Sequence, residues 1–373
     1  MERVRMPLPG QNGASEKTLR VVAIGGGTGL STLLRGLKRY VATPDRRRGI
    51  RLDRTPKADV PSAAPCPELP CVIQELSAVV TVTDDGGSSG RLREDFKMLP
   101  PGDIRNCMVA LSEDEHLLSK LFQFRFEQGE LEGHSFGNLF VAALSHITGD
   151  FAQAVRMSSQ ILATRGNIFP ATNTNVTLAA MMDDGSLVRG ETNITASKQS
   201  IVELMLEPAM ADPLPDTLAA IANADLITLG PGSLYTSLIT NLLVRGIPEA
   251  LATSRATKVF VCNLMTQANE SLGLTASQHI EKIMQHAGGA QSPIFDYALI
   301  NTGPISAARL MQYAREGQQP IEADLDAVRA LGVEPVTGNF VHEGDVLRHD
   351  YDCVAERLLA LGLARPSVAL TEQ

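Results

Sequence analysis

A glycine run placed directly after an apolar stretch is the feature that most constrains the fold of this 373-residue chain. Residues 21–24 are branched or small and apolar, which is typical of a buried strand, and 25–29 hold the glycines that precede a predicted helix over 30–40. Glycine permits a positive φ and close approach of a ligand, and the amides at a helix N-terminus favour an anion. The run predicts a phosphate-binding turn; the alternative is a turn needed only for close helix–strand packing.

Three known phosphate-binding motifs are similar to this loop, and each fits poorly. The dinucleotide fingerprint needs a glycine at its sixth position, where this chain has Leu30. A P-loop needs a lysine before its Ser or Thr, and Leu30 also stands before Ser31. The GGGTG core of the tubulin signature belongs well inside its domain rather than on a first strand. We therefore expect a nucleotide or nucleotide-sugar ligand without P-loop hydrolysis.

Strand-like and helix-like stretches alternate along most of the chain. Short apolar runs that predict buried strands occur at 21–24, 78–83, 226–229, 258–264 and 297–300. Amphipathic stretches that predict helices occur at 103–111, 137–147, 150–162, 233–243, 276–287 and 304–316. This alternation is typical of an α/β fold with a doubly wound, mostly parallel sheet. Runs at 175–182 and 187–195 flank a turn and predict a small accessory antiparallel hairpin within about 168–208.

Two segments have the composition of chain outside the fold. Residues 1–17 show no periodicity, and 44–70 are rich in proline and mixed charge. We expect a disordered N-terminus and a mobile Pro/Arg-rich insertion within a single domain over 18–365. The arginines of 46–54 lack the interleaved aromatics of a nucleic-acid surface, so we expect no nucleic-acid partner.

The chain lacks the sequence marks of export. Since there is no apolar run of roughly 18 residues and no apolar signal-peptide core, we expect a cytoplasmic protein with no membrane span. The five cysteines contain no C-x-x-C pair. We expect reduced thiols, with neither a disulfide framework nor a zinc site.

Polar or glycine-rich loops follow four of the predicted strands, at 25–29, 84–91, 230–233 and 265–269. Ligands of open α/β sheets bind beyond the carboxyl ends of the strands, so these loops are predicted to converge on one cleft. The loop at 230–233 again precedes a predicted helix. Two such helix starts suit a diphosphate or two phosphorylated ligands.

Asp84 and Asp85 are adjacent in the sequence. Their carboxylates repel each other unless a cation, sugar hydroxyls or a basic partner stabilises them. We expect Mg²⁺ binding, hydroxyl recognition or a general base here; the alternative is an Asx-turn with both carboxylates in water. Asp103 is predicted to be the N-cap of a helix over 104–111. Arg105 and Asn106 in its first turn are candidates to hold a phosphate or carboxylate, because a cation there opposes the helix dipole.

The segment 133–137 matches the G-x-S-x-G nucleophile elbow of α/β-hydrolases letter for letter. That elbow needs a buried strand immediately before it, and 127–132 is polar. We therefore expect Ser135 to be the N-cap of the helix that carries Asn138, and not a nucleophile.

The C-terminal third supplies a ring and a cation for the far wall of the cleft. Tyr313 and Arg348 are predicted to cover a uracil-like base and a diphosphate. The alternative for Arg348 is a surface pair with Asp350 or Asp352.

Together these motifs resemble the 2-phospholactate transferase-like (CofD-like) superfamily, and more closely its bacterial YvcK-type gluconeogenesis factors. The segments that carry the resemblance are 23–29, 83–93, 101–106, 137–139 and 229–237. It implies a Rossmann-like fold, a cytoplasmic location and binding of a nucleotide-sugar such as UDP-N-acetylglucosamine. It also implies a role in carbon partition towards the cell wall and in cell shape. Its transferases place an acceptor-contacting acidic residue at Asp85, whereas 86–89 follow the YvcK-type pattern.

We therefore expect a nucleotide-sugar-binding regulator. The alternative is a group transferase that has a nucleoside-diphosphate leaving group and binds Mg²⁺ at Asp84 and Asp85. The candidate catalytic residues of that transferase are Asp84, Asp85 and Asp103. Cytosolic protein partners and homo-oligomers stay open. The candidate ligand-binding residues are Gly25, Gly26, Gly27, Thr28, Gly29, Asp84, Asp85, Gly86, Gly87, Ser88, Arg91, Arg105, Asn106, Asn138, Gly230, Gly232, Ser233, Tyr235, Asn263, Thr266, Tyr313 and Arg348.

Overall fold

The structure is a computed structural model that describes residues 18–42, 71–113, 117–288 and 294–364. The predicted disordered N-terminus over 1–17 and the predicted insertion over 44–70 lie outside the described residues.

The largest element of the fold is a seven-stranded sheet in which every pair of neighbours is parallel. The strands of the described chain are β1 Leu19–Gly25, β2 Ile73–Val80, β3 Asn167–Pro170, β4 Thr177–Met182, β5 Leu187–Arg189, β6 Ile201–Glu207, β7 Leu226–Leu229, β8 Thr257–Val261, β9 Tyr297–Asn301, β10 Glu334–Gly338, β11 Val341–Glu343 and β12 Leu347–His349. The seven-stranded sheet has the order β10-β9-β8-β7-β1-β2-β3. The predicted doubly wound α/β fold is confirmed.

Helices cover both faces of this sheet. They are α1 Gly27–Lys38, α2 Gly87–Phe96, α3 Gly102–Leu111, α4 Leu117–Gln123, α5 Phe136–Thr148, α6 Phe151–Ile161, α7 Glu191–Ala196, α8 Pro215–Asn223, a π-helix Leu234–Ile239, α9 Thr240–Leu242, α10 Ile247–Thr253, α11 Ala276–His286, α12 Ala307–Ala314, α13 Leu325–Ala330 and α14 Tyr351–Ala364. The predicted helix over 233–243 is thus a π-helix followed by a short α-helix. Within the described ranges, no helix is long and apolar enough to cross a membrane.

The first strand shows why the sheet needs helices on both sides. Val21 and Ala23 belong to the core beneath α1, α3 and α14, whereas Val22 and Ile24 belong to the core beneath α8, α10 and α11. All four side chains are at most 2% exposed. Because successive side chains of a strand point to opposite faces, a continuous apolar run is stable only when both faces are covered.

The strand order reverses at β1, which pairs with β2 on one side and β7 on the other. The helices that follow β1 and β7 therefore pack on opposite faces of the sheet, and the crevice between the two connections is where such sheets bind ligands. The glycine loops predicted from the sequence lie at this point. The amide of Gly230 donates to the carbonyl of Ile24 at 3.0 Å and ties the two loops together.

The accessory antiparallel unit contains one strand more than predicted. β4 pairs with β5 as expected and also with β6, which gives the order β5-β4-β6. The second arm of the predicted hairpin is shorter than 187–195, because Gly190 has a φ of 89° and helix α7 follows it at once.

Two of the local predictions can be compared directly with the described residues. Ser135 is the N-cap of α5 as predicted, since its hydroxyl accepts from the amide of Asn138 at 3.2 Å. The thiol prediction is wrong at Cys71, which is disulfide-bonded, whereas Cys107, Cys262 and Cys353 are free.

A substitution at Gly29 tests how closely α1 approaches the loop after β7. A Cβ at Gly29 would clash with the backbone carbonyl of Pro231, whereas a Cβ at Gly25 would meet its nearest atom at 3.6 Å. We expect Gly29→Ala to lower the free energy of unfolding by about 1–3 kcal/mol, although alanine is the better helix former. Gly25→Ala is the matched control, with an expected change of about 0.5 kcal/mol. Urea unfolding of both variants gives the comparison, and equal stabilities would contradict this tight approach.

Candidate functional site

A cleft of about 470 Å³ opens at the switch point of the sheet. It is bounded by the start of α1, by the loops after β7 and β8, and by residues of α12, β12 and α14. The predicted site residues that line it are Gly26, Gly27, Thr28, Gly29, Gly232, Ser233, Asn263, Thr266, Tyr313 and Arg348. Residues from the first strand and from the C-terminal third are therefore brought to one cavity.

The start of α1 is partly occupied by a carboxylate of the protein. Gly27 has a φ of 61°, and its amide donates to Asp103 Oδ2 at 2.7 Å. The first amides of a helix have no intrahelical acceptor, so those of Thr28 and Gly29 are the remaining donors of this turn towards the cleft. The predicted role of Asp103 is wrong: α3 already begins at Gly102, and Asp103 contacts α1 instead of capping its own helix.

A second carboxylate lies at the start of the π-helix. Glu270, which lines the cleft, accepts from the amide of Tyr235 at 3.1 Å and from Thr236 Oγ1 at 2.9 Å. Burial raises the pKa of Glu270, and these hydrogen bonds oppose that shift. Both helix starts that the sequence predicted to hold ligand phosphates thus contact a protein carboxylate. Fewer of their amides are therefore free to bind an external anion.

Side-chain amides hold the loop after β7 in place. Asn263 accepts from the Gly232 amide at 3.2 Å and donates to the Gly232 carbonyl at 2.7 Å. Gln267 Nε2 donates to Ser233 Oγ at 3.0 Å. Gln267 was missed as an individual site residue, although the polar loop after β8 that contains it was noticed.

His349 is a further wall residue that the sequence did not single out. Its Nε2 lies 3.1 Å from the carbonyl of Cys262, and burial lowers its pKa to about 4. A neutral ring beside a carbonyl, which can only accept, carries its proton on Nε2. His349 therefore ties β12 to the end of β8 and does not supply positive charge to the cleft.

Tyr313 and Arg348 both lie at the far wall of the cleft, which is the position that the sequence predicted for them. The Tyr313 hydroxyl accepts from the amide of Leu347 at 3.1 Å, and Arg348 Nη1 donates to the carbonyl of Leu347 at 3.4 Å. Arg348 is exposed, and in the described part of the chain no carboxylate lies within the 4.0 Å of an ion pair. Asp352, one partner considered for it, pairs with Arg39.

Three carboxylic acids lie together beside the start of α1. Burial, with Asp84 and Asp103 nearby, raises the pKa of Glu191 to about 9, and burial raises the pKa of Asp103 to about 6. Asp84 accepts from the Gly86 amide at 2.9 Å in an Asx-turn, but both carboxylates of the pair are partly buried and not in open water as that alternative had them. At neutral pH the Glu191 carboxyl is therefore protonated.

Asp85 turns away from Asp84 and contacts the accessory unit. Its Oδ1 accepts from the amide of Thr192 at 2.9 Å and from the Thr192 hydroxyl at 2.6 Å. In the residues for which coordinates are described, no three His, Cys, Asp or Glu side chains are arranged to hold a metal ion. Mg²⁺ at Asp84 and Asp85 would therefore need oxygen ligands from a bound substrate or from water.

Comparison with known proteins shows the family. The family described as 2-phospho-L-lactate transferase CofD matches residues 21–341. The gluconeogenesis factor of Halalkalibacterium halodurans is 44% identical over 92% of this chain and 96% of its own length. That of Bacillus subtilis is 42% identical over 92% of this chain and 98% of its own length. The chain belongs to the CofD family.

A solved structure supports the same assignment. The crystal structure of a UPF0052-family protein from Bacillus halodurans is 44% identical, with a TM-score of 0.81, over 92% of this chain and 99% of its own. The CofD-family fold expected from the sequence motifs is therefore confirmed.

The remaining predicted site residues of this CofD-family chain do not line the cleft. Gly25 and Gly230 lie behind it in the paired loops, and Tyr235 is 2% exposed, with its hydroxyl 3.5 Å from the Ile201 carbonyl. A second group lies around the starts of α2, α3 and α5: Asp84, Asp85, Gly86, Gly87, Ser88, Arg91, Arg105, Asn106 and Asn138. Asp103 joins the two groups through its bond to Gly27.

The raised pKa of Glu191 makes stability depend on pH. The folded carboxyl keeps a proton up to about pH 9, whereas its ordinary pKa is 4.5, so the unfolded chain releases that proton first. The free energy of unfolding should therefore fall between pH 5 and pH 8, by up to about 1.4 kcal/mol per pH unit from this group.

We expect Glu191→Gln to remove that slope, so that the variant gains stability relative to the native chain as pH rises. Urea unfolding at pH 5 and pH 8 measures it. Glu203→Gln, which changes an exposed carboxylate on β6, is the control and should leave the slope intact. Parallel pH profiles for Glu191→Gln and the native chain would contradict a protonated Glu191.

Proposed function

We propose that this chain is a cytosolic regulatory protein that binds a nucleotide-sugar of the UDP-N-acetylglucosamine type in the switch-point cleft. In this proposal the bound state links carbon metabolism and gluconeogenesis to cell-wall synthesis and cell shape. The names of the relatives support the metabolic half, since those from H. halodurans and B. subtilis are called gluconeogenesis factors.

The observation that carries the proposal is the pairing of Arg348 with the open amides of α1 in one cleft. Arg348 is exposed and has no carboxylate within ion-pair distance among the residues described. A guanidinium and the amides of Thr28 and Gly29 are both donors that suit phosphate oxygens. Because Asp103 and Glu270 hold other amides of this edge, the arginine is needed to make the cleft attractive to a diphosphate.

The rest of the cleft suits the sugar and the base. Its volume of about 470 Å³ lies in the range of small-ligand pockets. The Tyr313 ring is fixed by its hydroxyl on the Leu347 amide, so it can stack on a base with little loss of rotamer freedom. Gln267 and Glu270 add hydrogen-bonding groups for ribose or sugar hydroxyls.

Regulation is preferred over turnover because the described residues that line the cleft offer donors for a diphosphate but no activated nucleophile. His349 has a lowered pKa and its Nε2 is held on a carbonyl, which leaves it poorly suited as a general base. The alternative function is transfer of a phosphorus-linked group with a nucleoside-diphosphate leaving group and Mg²⁺. One observation favours it: Asp103 and Asp84 lie beside the start of α1, next to the cleft.

Substitution of Arg348 tests the nucleotide-sugar proposal. Arg348→Ala removes the cation, and Arg348→Lys removes bidentate contact, so both should weaken UDP-N-acetylglucosamine binding by roughly 1–3 kcal/mol in titration calorimetry. Arg357→Ala, on the exposed side of α14, is the matched control and should bind like the native chain. Native affinity in both Arg348 variants would overturn the assignment of the cleft.

Chelation separates the regulator from the transferase. If the cleft binds the nucleotide-sugar without a metal, affinity for the nucleotide-sugar should be unchanged in EDTA. A transferase with Mg²⁺ at Asp84 and Asp85 should instead lose affinity or turnover. Chromatography measures the release of a nucleoside mono- or diphosphate. Release that depends on the metal would favour the transferase over the regulator.

A further inference from the structure

The cleft carries opposite charges on two of its walls. Among the described residues that line it, the acidic and basic side chains are Glu270, Arg348 and His349, and the ring of His349 is neutral. Arg348 belongs to β12, whereas Glu270 lies between β8 and α11. No ion pair joins Glu270 to Arg348 in the described part of the chain. Positive and negative charge therefore occupy separate places in the cavity.

The Glu270 carboxylate is held in position through both of its oxygens. Oε2 accepts from the amide of Tyr235 at 3.1 Å, and Oε1 accepts from the hydroxyl of Thr236 at 2.9 Å. These two hydrogen bonds favour the ionised form, whereas burial raises the pKa of the group. Each carboxylate oxygen has a second lone pair. Glu270 can therefore accept further hydrogen bonds from the hydroxyls of a ligand.

No cation of the described chain neutralises this carboxylate. Among residues with described positions, no Lys, Arg or His nitrogen lies within the 4.0 Å of an ion pair from Glu270. The nearby Glu191 carboxyl adds no positive charge, since it is protonated at neutral pH. Water and salt screen charges poorly in a partly enclosed cavity, so Glu270 repels a second negative charge placed beside it.

A nucleotide-sugar with a neutral hexose suits this division of charge. Its negative charge lies on the diphosphate, and its sugar ring offers hydroxyl donors. Binding with the diphosphate towards Arg348 and the sugar towards Glu270 satisfies both walls of the cleft. A hexuronic acid has the same ring with a carboxylate in place of the C6 hydroxymethyl group, so it brings a negative charge to the Glu270 side. Specificity frequently arises from such repulsion of the wrong ligand.

We propose that Glu270 determines which sugar the cleft accepts, by taking hydrogen bonds from the hydroxyls of a neutral sugar and repelling sugars that carry a carboxylate or a phosphate. The inference rests on the proposed function, because it requires a nucleotide-sugar in the cleft. It deepens that function by naming the class of sugar and the residue that selects it.

A matched pair of ligands tests the inference on the full native chain. UDP-glucose and UDP-glucuronic acid differ only at C6, where the second has a carboxylate. We expect titration calorimetry to show at least tenfold tighter binding of UDP-glucose. If UDP-glucuronic acid binds as tightly, the role of Glu270 is overturned and the assignment of the cleft stands. If neither ligand binds and UDP-N-acetylglucosamine does not bind either, the proposed function itself is overturned.

Substitution of Glu270 assigns the discrimination to this residue. Glu270→Gln keeps both contacts, since its Oε1 can accept from the Tyr235 amide and its Nε2 can donate to the Thr236 hydroxyl. We expect the ratio of the two affinities to fall at least fivefold, mainly through tighter binding of UDP-glucuronic acid. Glu249→Gln, on an exposed position of α10, is the matched control and should keep the native ratio. A native ratio in Glu270→Gln would overturn the inference.

The converse substitution, Gln267→Glu, decides the matter if Glu270→Gln does not fold. Gln267 also lines the cleft, and its Nε2 donates to Ser233 Oγ at 3.0 Å. A glutamate there keeps this contact, because the Ser233 hydroxyl can donate instead, and it adds a negative charge to the same wall. UDP-glucuronic acid should lose at least threefold more affinity than UDP-glucose. Equal losses for the two ligands would overturn the inference.

Discussion

The hydrogen bond from the Gly27 amide to Asp103 Oδ2 joins the two halves of the polar edge of the sheet. Gly27 begins α1 and Asp103 lies in the first turn of α3, so one carboxylate faces the positive ends of two helices. Burial raises the pKa of Asp103 to about 6, and the group is still ionised at neutral pH. This carboxylate adds a polar contact between the starts of α1 and α3 to the apolar packing of the two helices, and the cleft and the second group of site residues lie on either side of it.

Carboxylates at both helix starts change what a phosphate could contact. The amide of Gly27 is bonded to Asp103, and that of Tyr235 to Glu270, so the glycine loops supply fewer donors than their sequences indicate. Thr28 and Gly29 keep open amides, which is too little to compensate a diphosphate alone. The positive charge of Arg348 is therefore decisive for binding of the proposed ligand. Arg348 is far from β1 along the chain and lies on the opposite wall of the cleft.

Local pattern was sufficient to predict the parallel sheet and the loops at its switch point, although the two outermost strands, β3 and β10, were not among the predicted strand runs. The run over 21–24 is apolar throughout because both faces of β1 are covered, and the glycine loops follow from strands that end at the switch point. The roles of Asp103 and Glu270 were out of reach, since their partners are 76 and 35 residues away. Asp103 has the residue type and position of an N-cap, and only the packing of α1 against α3 gives it another partner. The division of the site into two groups likewise depends on tertiary packing.

The acidic residues beside the start of α1 also limit where the proposed ligand can bind. Asp84 and Asp103 lie near Glu191, and the cost of three negative charges in a partly buried space is avoided by a proton on Glu191. Because carboxylates repel an anion, the diphosphate of the proposed nucleotide-sugar is most stable where a guanidinium is closest, which is at Arg348 on the far wall of the cleft.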